Sequence, residues 1–432
     1  MPLKTIKVYI LFISGCVFFS CHNIKEAIGN SLIRTTSLPY YSYTNDTDLD
    51  VLVNDIGSRR IVLLGESSHG TAEFYTWRAA LTNKLIKDKG FNLIAVEGDW
   101  TNIYKLNHYI NDTDVDSSKL AEILNSNHRW PEWLWANREF ASFVQWLKQY
   151  KQQYAPASTR FGVYGLDVFA FADALNALIP LLPDSISSNA ARTAANCLRP
   201  YGVDALKYSS AVAGRKRGCA EEIKLLWNLV NTSSNQKLKT PDKFLQLQLA
   251  SVVYDGERYF RSHNELTSWN TREHHMQETI ARLLKYAGSN SKIIVWAHNT
   301  HVGDAHYTDM STRERTNLGE LLRKQWGEKN VYIVGSGFYK GTILSAKSWG
   351  AAAENIQVVP AKKGSWEEMI HSTNGVDEIL LSSDLKSNKQ VGTWIQQRSI
   401  GVANSVTYIP SVIPRRYDAF VYFETTHPLH PL

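Results

Sequence analysis

The chain has 432 residues, 44% of them hydrophobic and 20% charged, with a formal net charge of +6. This composition supplies a large core and excludes a disordered, collagen-like or coiled-coil chain. Four cysteines exclude a disulfide-dense scaffold, and so small a positive excess, spread over this length, falls short of a nucleic-acid-binding surface.

Lys4 and Lys7 precede an apolar run from Val8 to Ser20. Positive charge ahead of a short apolar stretch ending in small residues predicts a secretory signal. The run is shorter than the ~20 residues of a membrane-spanning helix, and no later segment reaches ~18 uninterrupted apolar residues. Cys16 follows Ile13-Ser14-Gly15, and Cys21 follows Phe18-Phe19-Ser20. A small residue before a cysteine is the pattern of a bacterial lipobox. Cys21 leaves the longer apolar core, and Cys16 has the better local match. Residues 1–21 are therefore read as a signal peptide with a lipobox. The mature chain is expected to be exported and anchored to a bacterial membrane, facing the periplasm, through acyl chains alone. In that oxidising space Cys197 and Cys219 either form one disulfide or remain two thiols, and their spacing fits no zinc motif.

Six apolar, β-rich runs follow: Ile61–Leu64, Leu93–Val96, Phe161–Leu166, Ile293–Ala297, Val331–Val334 and Ala419–Phe423. Continuous apolar runs of this length suit strands covered on both faces. Helical patterns lie between them. In Glu73–Asp88, Phe74, Trp77, Leu81 and Leu85 recur at helical spacing with Gly90 just beyond; a second pattern spans Thr271–Tyr286. The alternation predicts an α/β fold with a mostly parallel central sheet flanked by helices. The catalytic domain is expected over 40–432. Helical inserts at about 100–160 and 170–290 would cap an active-site cleft. The polar run Asn231-Thr-Ser-Ser-Asn235 predicts a loop within the second insert.

Four of the runs end in chemically useful side chains. Leu64 is followed by Gly65-Glu66-Ser67-Ser68-His69-Gly70, Val96 by Glu97-Gly98-Asp99-Trp100, Leu166 by Asp167, and Ala297 by His298-Asn299-Thr300-His301. Ligands of open α/β sheets bind outside the carboxyl ends of the strands, so these acids and imidazoles are expected to converge on one sheet edge. Other motifs fail. Gly65 and Gly70 have phosphate-loop spacing, but Thr71-Ala72 stands where Lys-Ser/Thr is needed. There is no Gly-x-Ser-x-Gly elbow and no His-Glu-x-x-His. The pairs His298/His301 and His274/His275 leave metal ligation open on spacing alone.

The block Gly65-Glu66-Ser67-Ser68-His69-Gly70-Thr71-Ala72-Glu73-Phe74, with Arg78 beyond it, resembles the erythromycin esterase family. So do Gly90-Phe91 with Ile94-Ala95-Val96-Glu97-Gly98-Asp99, Tyr164-Gly165-Leu166-Asp167, Trp296-Ala297-His298-Asn299 with His301, and Tyr417-Asp418-Ala419-Phe420. Asn270, Arg272, Glu273 and Met276 resemble a further motif, with Glu273 where Asp is expected. The resemblance runs from about residue 45 to 425.

It implies a carboxylic ester hydrolase that opens the lactone of 14-membered macrolides and confers resistance, although some members act on no established substrate and some carry exopolysaccharide names. By resemblance His69 is the base that activates water, and Glu66 holds its tautomer. Arg78 and His298 face the developing oxyanion, and Glu97 and His301 orient these groups or the water. Trp133 and Trp135 are expected to wall the substrate cleft, with Asp167 and Arg272 beside it. No cofactor is expected, although a divalent ion at His69, Glu97 and His298 would be an alternative source of activated water. The partner is a small-molecule macrolide met by a monomer, with no nucleic acid. The competing readings are a hydrolase of a cell-envelope or exopolysaccharide ester, and a non-catalytic lipoprotein binding a small apolar molecule.

Overall fold

The computed structural model describes residues 38–432 except positions 113, 115, 117, 127–129, 157–159, 215, 235–239, 387, 389, 390 and 404. The signal and lipobox read at residues 1–21 lie outside the described residues.

The strands are β1 (Tyr41–Ser42), β2 (Ile61–Glu66), β3 (Leu93–Asp99), β4 (Gly162–Asp167), β5 (Ile293–His298), β6 (Val331–Ser345), β7 (Glu354–Val358), β8 (Glu378–Leu381), β9 (Ile395–Ile400), β10 (Val406–Ser411) and β11 (Ala419–Thr426). The main sheet has the order β1-β8-β11-β6-β2-β5-β3-β4, with β7 paired to β6. Every pairing from β11 to β4 is parallel. β8 joins β11 antiparallel, β1 joins β8 antiparallel, and β7 joins β6 antiparallel. The six apolar runs in the sequence are the six parallel strands. In β2 to β5 every residue is buried, because helices cover both faces and leave no side for polar alternation.

The order explains the cleft. β5, reached only after a long excursion, inserts between β2 and β3. Glu66 at the end of β2 is the register partner of His298 at the end of β5, and Asp99 pairs with Asp167 across β3 and β4. Neighbouring strands lie about 4.8 Å apart, so four adjacent carboxyl ends bring their side chains to one edge.

Helix Ala72–Lys89 joins β2 to β3 and buries Phe74, Trp77, Leu81 and Leu85. It stops at Gly90, where φ is +71°, a left-handed turn that glycine adopts without a Cβ clash. Between β3 and β4 lie the helices Trp100–Asn111, Lys119–Asn125 and Arg138–Gln153. Between β4 and β5 lie Phe171–Leu178, Ser185–Leu198, Ala205–Ala213, Ala220–Ser234, Pro241–Arg261 and Glu265–Ala287. Helix Ala220–Ser234 runs through most of the stretch read as a loop at Asn231–Asn235. Its buried Ile223, Leu226 and Val230 pack at helical spacing and carry the polar residues with them. Residues 38–432 form one compact unit.

Cys197 and Cys219 are joined by a disulfide, which ties helix Ser185–Leu198 to the residue preceding helix Ala220–Ser234. Closing a loop of this length removes unfolded-chain entropy equivalent to about 3 kcal/mol. A Cys197→Ser/Cys219→Ser variant should therefore unfold at lower urea concentration, by up to that free energy, with the unfolding slope and the site chemistry little changed. An unchanged midpoint would show that the bridge does not stabilise the insert.

Candidate active site

Two charged networks meet at the carboxyl edge of the sheet. The first begins at β2. Glu66 is buried, and its Oε1 lies 2.8 Å from His69 Nδ1 while Oε2 accepts from Arg78 Nη2 at 2.5 Å. His69 follows three residues later, where the backbone turns into helix Ala72–Lys89. The turn is packed tightly: a Cβ on Gly70 would lie 1.7 Å from the carbonyl oxygen of Leu344, and the Leu344 N–H donates to the Gly70 carbonyl. With Nδ1–H donated to Glu66, the Nε2 lone pair of His69 is turned to the cleft that this residue lines. Burial alone would lower the His69 pKa. The hydrogen bond and charge of Glu66, with the charge of Glu97, outweigh it and raise the pKa above the usual imidazole value.

The second network joins β3, β4, β5 and helix Glu265–Ala287. Arg272 donates from Nε to Asp167 Oδ1 at 2.6 Å and from Nη2 to Asp167 Oδ2 at 3.0 Å and Glu97 Oε1 at 2.9 Å. His301 lies between Glu273 (Nδ1–Oε1 2.5 Å) and Glu97 (Nε2–Oε1 3.2 Å), and its ring stacks on Trp269 with centroids 5.0 Å apart. Burial and the charge of Arg272, whose Nη1 lies 3.0 Å from Nε2, oppose its charge, but Glu273 and Glu97 outweigh them and push its pKa up to about 10, which favours the imidazolium at neutral pH. Burial likewise opposes the charge of Glu97, yet His301, Arg272 and His69 hold its carboxyl well below the usual range. The remaining oxygen of Glu97 accepts the His298 N–H at 2.8 Å.

His298 stands between the networks, its ring centroid 5.0 Å from that of His69. Its Nδ1 accepts the Thr300 N–H at 3.2 Å, so the proton sits on Nε2. Burial and the charges of His69 and His301 push its pKa down to about 3, and it stays neutral. Nε2 makes no well-formed hydrogen bond among the described residues; its nearest acceptor is the Ser67 main chain, a weak hydrogen bond that pulls the pKa slightly up. A neutral imidazole whose N–H is at most weakly engaged is an electrophilic donor suited to an oxyanion. Four carboxylates (Glu66, Glu97, Asp167 and Glu273) face two guanidiniums and one imidazolium. The balance of one negative charge favours a proton arriving on His69.

The structure brings Glu66, His69, Glu97, Asp167, Arg272, His298 and His301 together. Two expectations need correction. Arg78 does not face the cleft. It is fully buried, held between the rings of Tyr75 and Trp296 at 4.8 and 4.9 Å, with Nε bonded to the Phe74 carbonyl. Packed behind Glu66, it orients that carboxylate and cannot meet an oxyanion in the cleft. Trp133 does not wall the cleft either: it packs into the main core. Trp135, two residues on, does line the cleft and donates from Nε1 to the Glu97 carbonyl at 3.1 Å. Local pattern could not separate these two, because Trp130–Trp135 is a turn and short 3-10 helix rather than a regular helix.

The cleft encloses about 440 Å³ and opens between the two inserts and the β9–β10 hairpin, which contributes Ser399 and Thr407. Trp130, Phe169, Tyr259 and Trp349 also border a second, mainly apolar cavity of about 1120 Å³ that reaches Leu206, Leu245 and Leu249. The hairpin is held by Arg398, whose guanidinium donates to the carbonyls of Val359 and Phe338, and by the Ile400 N–H on the Ser67 carbonyl at 2.8 Å. Sequence reasoning missed the hairpin, Trp349 and the role of Glu273. Glu273 was visible as a carboxylate in the motif, but nothing local links it to His301. Among the described residues no group of three His, Cys, Asp or Glu side chains is arranged to hold a metal ion, and both Glu97 oxygens are already engaged. The hydroxyls of Ser67 and Ser68 do not line the cleft: Ser67 Oγ is buried and Ser68 Oγ bonds Thr71 Oγ1 at 2.5 Å.

A model of the erythromycin esterase family matches residues 86–426. The fold resembles that of a succinoglycan biosynthesis protein (TM-score 0.73, 19% identity, covering 94% of this chain and 99% of that one). It also resembles a Bacillus cereus protein (TM-score 0.75, 17%, 94% and 99%), and a mutant of the erythromycin esterase EreC in its open conformation (TM-score 0.68, 16%, 90% and 98%). At these identities the solved structures establish the fold.

Glu66 raises the His69 pKa, and a base acts only when unprotonated. Ester turnover should therefore rise with pH through a midpoint above that of ordinary histidine. Glu66→Gln removes the upward push, so the acid limb of kcat/KM should move to lower pH while the plateau falls. A limb that stays put or moves up would break the assignment of Glu66 to His69.

Proposed function

The chain belongs to the erythromycin esterase family, and from that premise we propose that it hydrolyses the lactone ester of 14-membered macrolides and so confers resistance to them. The observation that supports this reading is a single pair of rings. His69 has one nitrogen locked by Glu66 and the other open, and the neutral Nε2–H of His298 is presented from a ring 5.0 Å away. One abstracts a proton and the other receives negative charge, which is the division of labour ester hydrolysis needs.

In this mechanism water in the cleft attacks the ester carbonyl carbon as its proton passes to His69 Nε2. The tetrahedral oxyanion is met by His298 Nε2–H and by the new His69 imidazolium. Collapse breaks the carbon–oxygen bond of the ester, and His69 returns the proton to the departing alkoxide. The products are a carboxylic acid and an alcohol, joined in one opened chain when the substrate is a lactone. Arg272 and His301 fix Glu97, and Glu97 fixes the main chain of His298. No step in this scheme draws on a metal or other cofactor. The apolar body of the macrolide is assigned to the cavity of about 1120 Å³, since large ligands bind by apolar walls with few fixed polar contacts.

We further propose that the mature chain is an exported lipoprotein facing the periplasm, acting as a monomer where a drug is met before it reaches the ribosome. The Cys197–Cys219 disulfide supports an oxidising compartment.

Purified protein lacking residues 1–21, incubated with erythromycin, should yield a product heavier by one water. No mass change with any of several macrolides would move the reading to a cell-envelope or exopolysaccharide ester. His69→Ala should remain folded and lose turnover by roughly a thousandfold or more; full activity in that variant would remove the mechanism. Leu249→Trp, which fills the apolar cavity, should depress kcat/KM for macrolides but not for a small acetate ester. Equal effects on both would place the macrolide elsewhere.

A further inference from the structure

The last six residues repeat a tripeptide, His427-Pro428-Leu429 and His430-Pro431-Leu432. Each copy binds the start of a different helix in the same way. In the first copy, His427 receives the Ala72 N–H on its carbonyl at 3.0 Å, and the Leu429 N–H donates to the Gly70 carbonyl at 3.1 Å. The His427 N–H and Nδ1 hold the two oxygens of Glu73 at 3.0 and 2.7 Å. In the second copy, His430 receives the Arg138 N–H at 2.8 Å, and the Leu432 N–H donates to the Ala136 carbonyl at 3.1 Å. The His430 N–H and Nδ1 hold Glu139 at 3.4 and 2.6 Å. Pro428 pairs with Thr71 and Pro431 with Asn137, the N-cap residues of the two helices. Both glutamates lie in first turns, where a carboxylate is favoured by the helix dipole.

The two helix starts are the supports of the active site. His69 stands two residues before the cap Thr71, and Trp135 two residues before the cap Asn137. One is the base, and the other walls the cleft and bonds the Glu97 carbonyl. Tyr75 of the first helix also donates from its hydroxyl to the Leu134 carbonyl at 2.6 Å, and Leu429 is buried in the core beneath.

We propose that the His427–Leu432 segment is a strap that sets the spacing between the His69 turn and the Trp130–Trp135 wall. His427 acts as a positioning residue for proton transfer, and His430 as one for substrate binding. The reading rests on the proposed esterase function. Neither histidine touches substrate. Their exposed rings (71% and 60% for the side chains) contribute little to the core, so a purely structural role would move the two kinetic constants together or not at all.

The test measures kcat, KM and amide hydrogen exchange for His427→Ala and His430→Ala in the otherwise intact chain. His427→Ala should lower kcat about tenfold or more with KM within about twofold, since small misplacement of a reacting group is costly. His430→Ala should instead raise KM with kcat nearly kept. Exchange should quicken in residues 66–75 for the first variant and 131–140 for the second. His427→Asn and His430→Asn, which keep a donor near the Nδ1 position, should restore each constant. Parallel changes in both constants, or exchange that quickens in both segments alike, would overturn the strap. Exchange needs no substrate, so a protein that cleaves no ester would count against the function while the exchange patterns still judge the strap.

Discussion

A carboxylate removed from water must be satisfied by the groups that touch it, and Glu66 has two partners on opposite sides. Arg78 takes one oxygen from behind and His69 takes the other from the cleft side. The guanidinium cannot wander, because it is wedged between Tyr75 and Trp296 and bonded to the Phe74 carbonyl. The imidazole tautomer is therefore set by a chain of contacts that starts in the hydrophobic core. Removing a partner from such a buried pair leaves an uncompensated charge, which is far more costly than the pair is stabilising. The placement of the His69 ring is thus bound to the integrity of the core beneath it.

The same principle organises the other half of the site. Glu97 spends one oxygen on Arg272 and His301 and the other on the His298 main chain. Two histidines three residues apart acquire opposite characters from this arrangement. His301, flanked by carboxylates, is held cationic, while His298 is held neutral, first by burial and then by the charges of the two neighbouring histidines. One residue type supplies a fixed charge at one position and a neutral donor at the other. The difference lies wholly in what the tertiary structure sets beside each ring.

Around this centre the chain uses its insertions for shape. The helices after β3 and β4 and the β9–β10 hairpin bound a polar cleft that gives on to a larger apolar cavity. The charged and imidazole side chains sit on the sheet edge and the turns that follow it. The walls come from turns and helix faces, which evolve more freely in size.

Much of this was written locally. Six apolar runs named the six parallel strands, because a strand covered on both faces must be apolar throughout. The polar residues just past four of them named most of the site, because strand ends of a parallel sheet share an edge. Glycine after an apolar helical stripe marked the end of helix Ala72–Lys89. The short strands β1, β7 and β8 were not legible, since such strands are fixed by pairing rather than by their own pattern. What distinguished Arg78 from Arg272, Trp133 from Trp135 and His298 from His301 was also out of reach. Each pair has the same side-chain chemistry, and only the packed chain decides which member points into the cleft, which lies behind it, and which carries charge. The sequence determined the kinds of groups and the edge on which they gather; the fold determined their directions and protonation, because those depend on neighbours far apart in the chain.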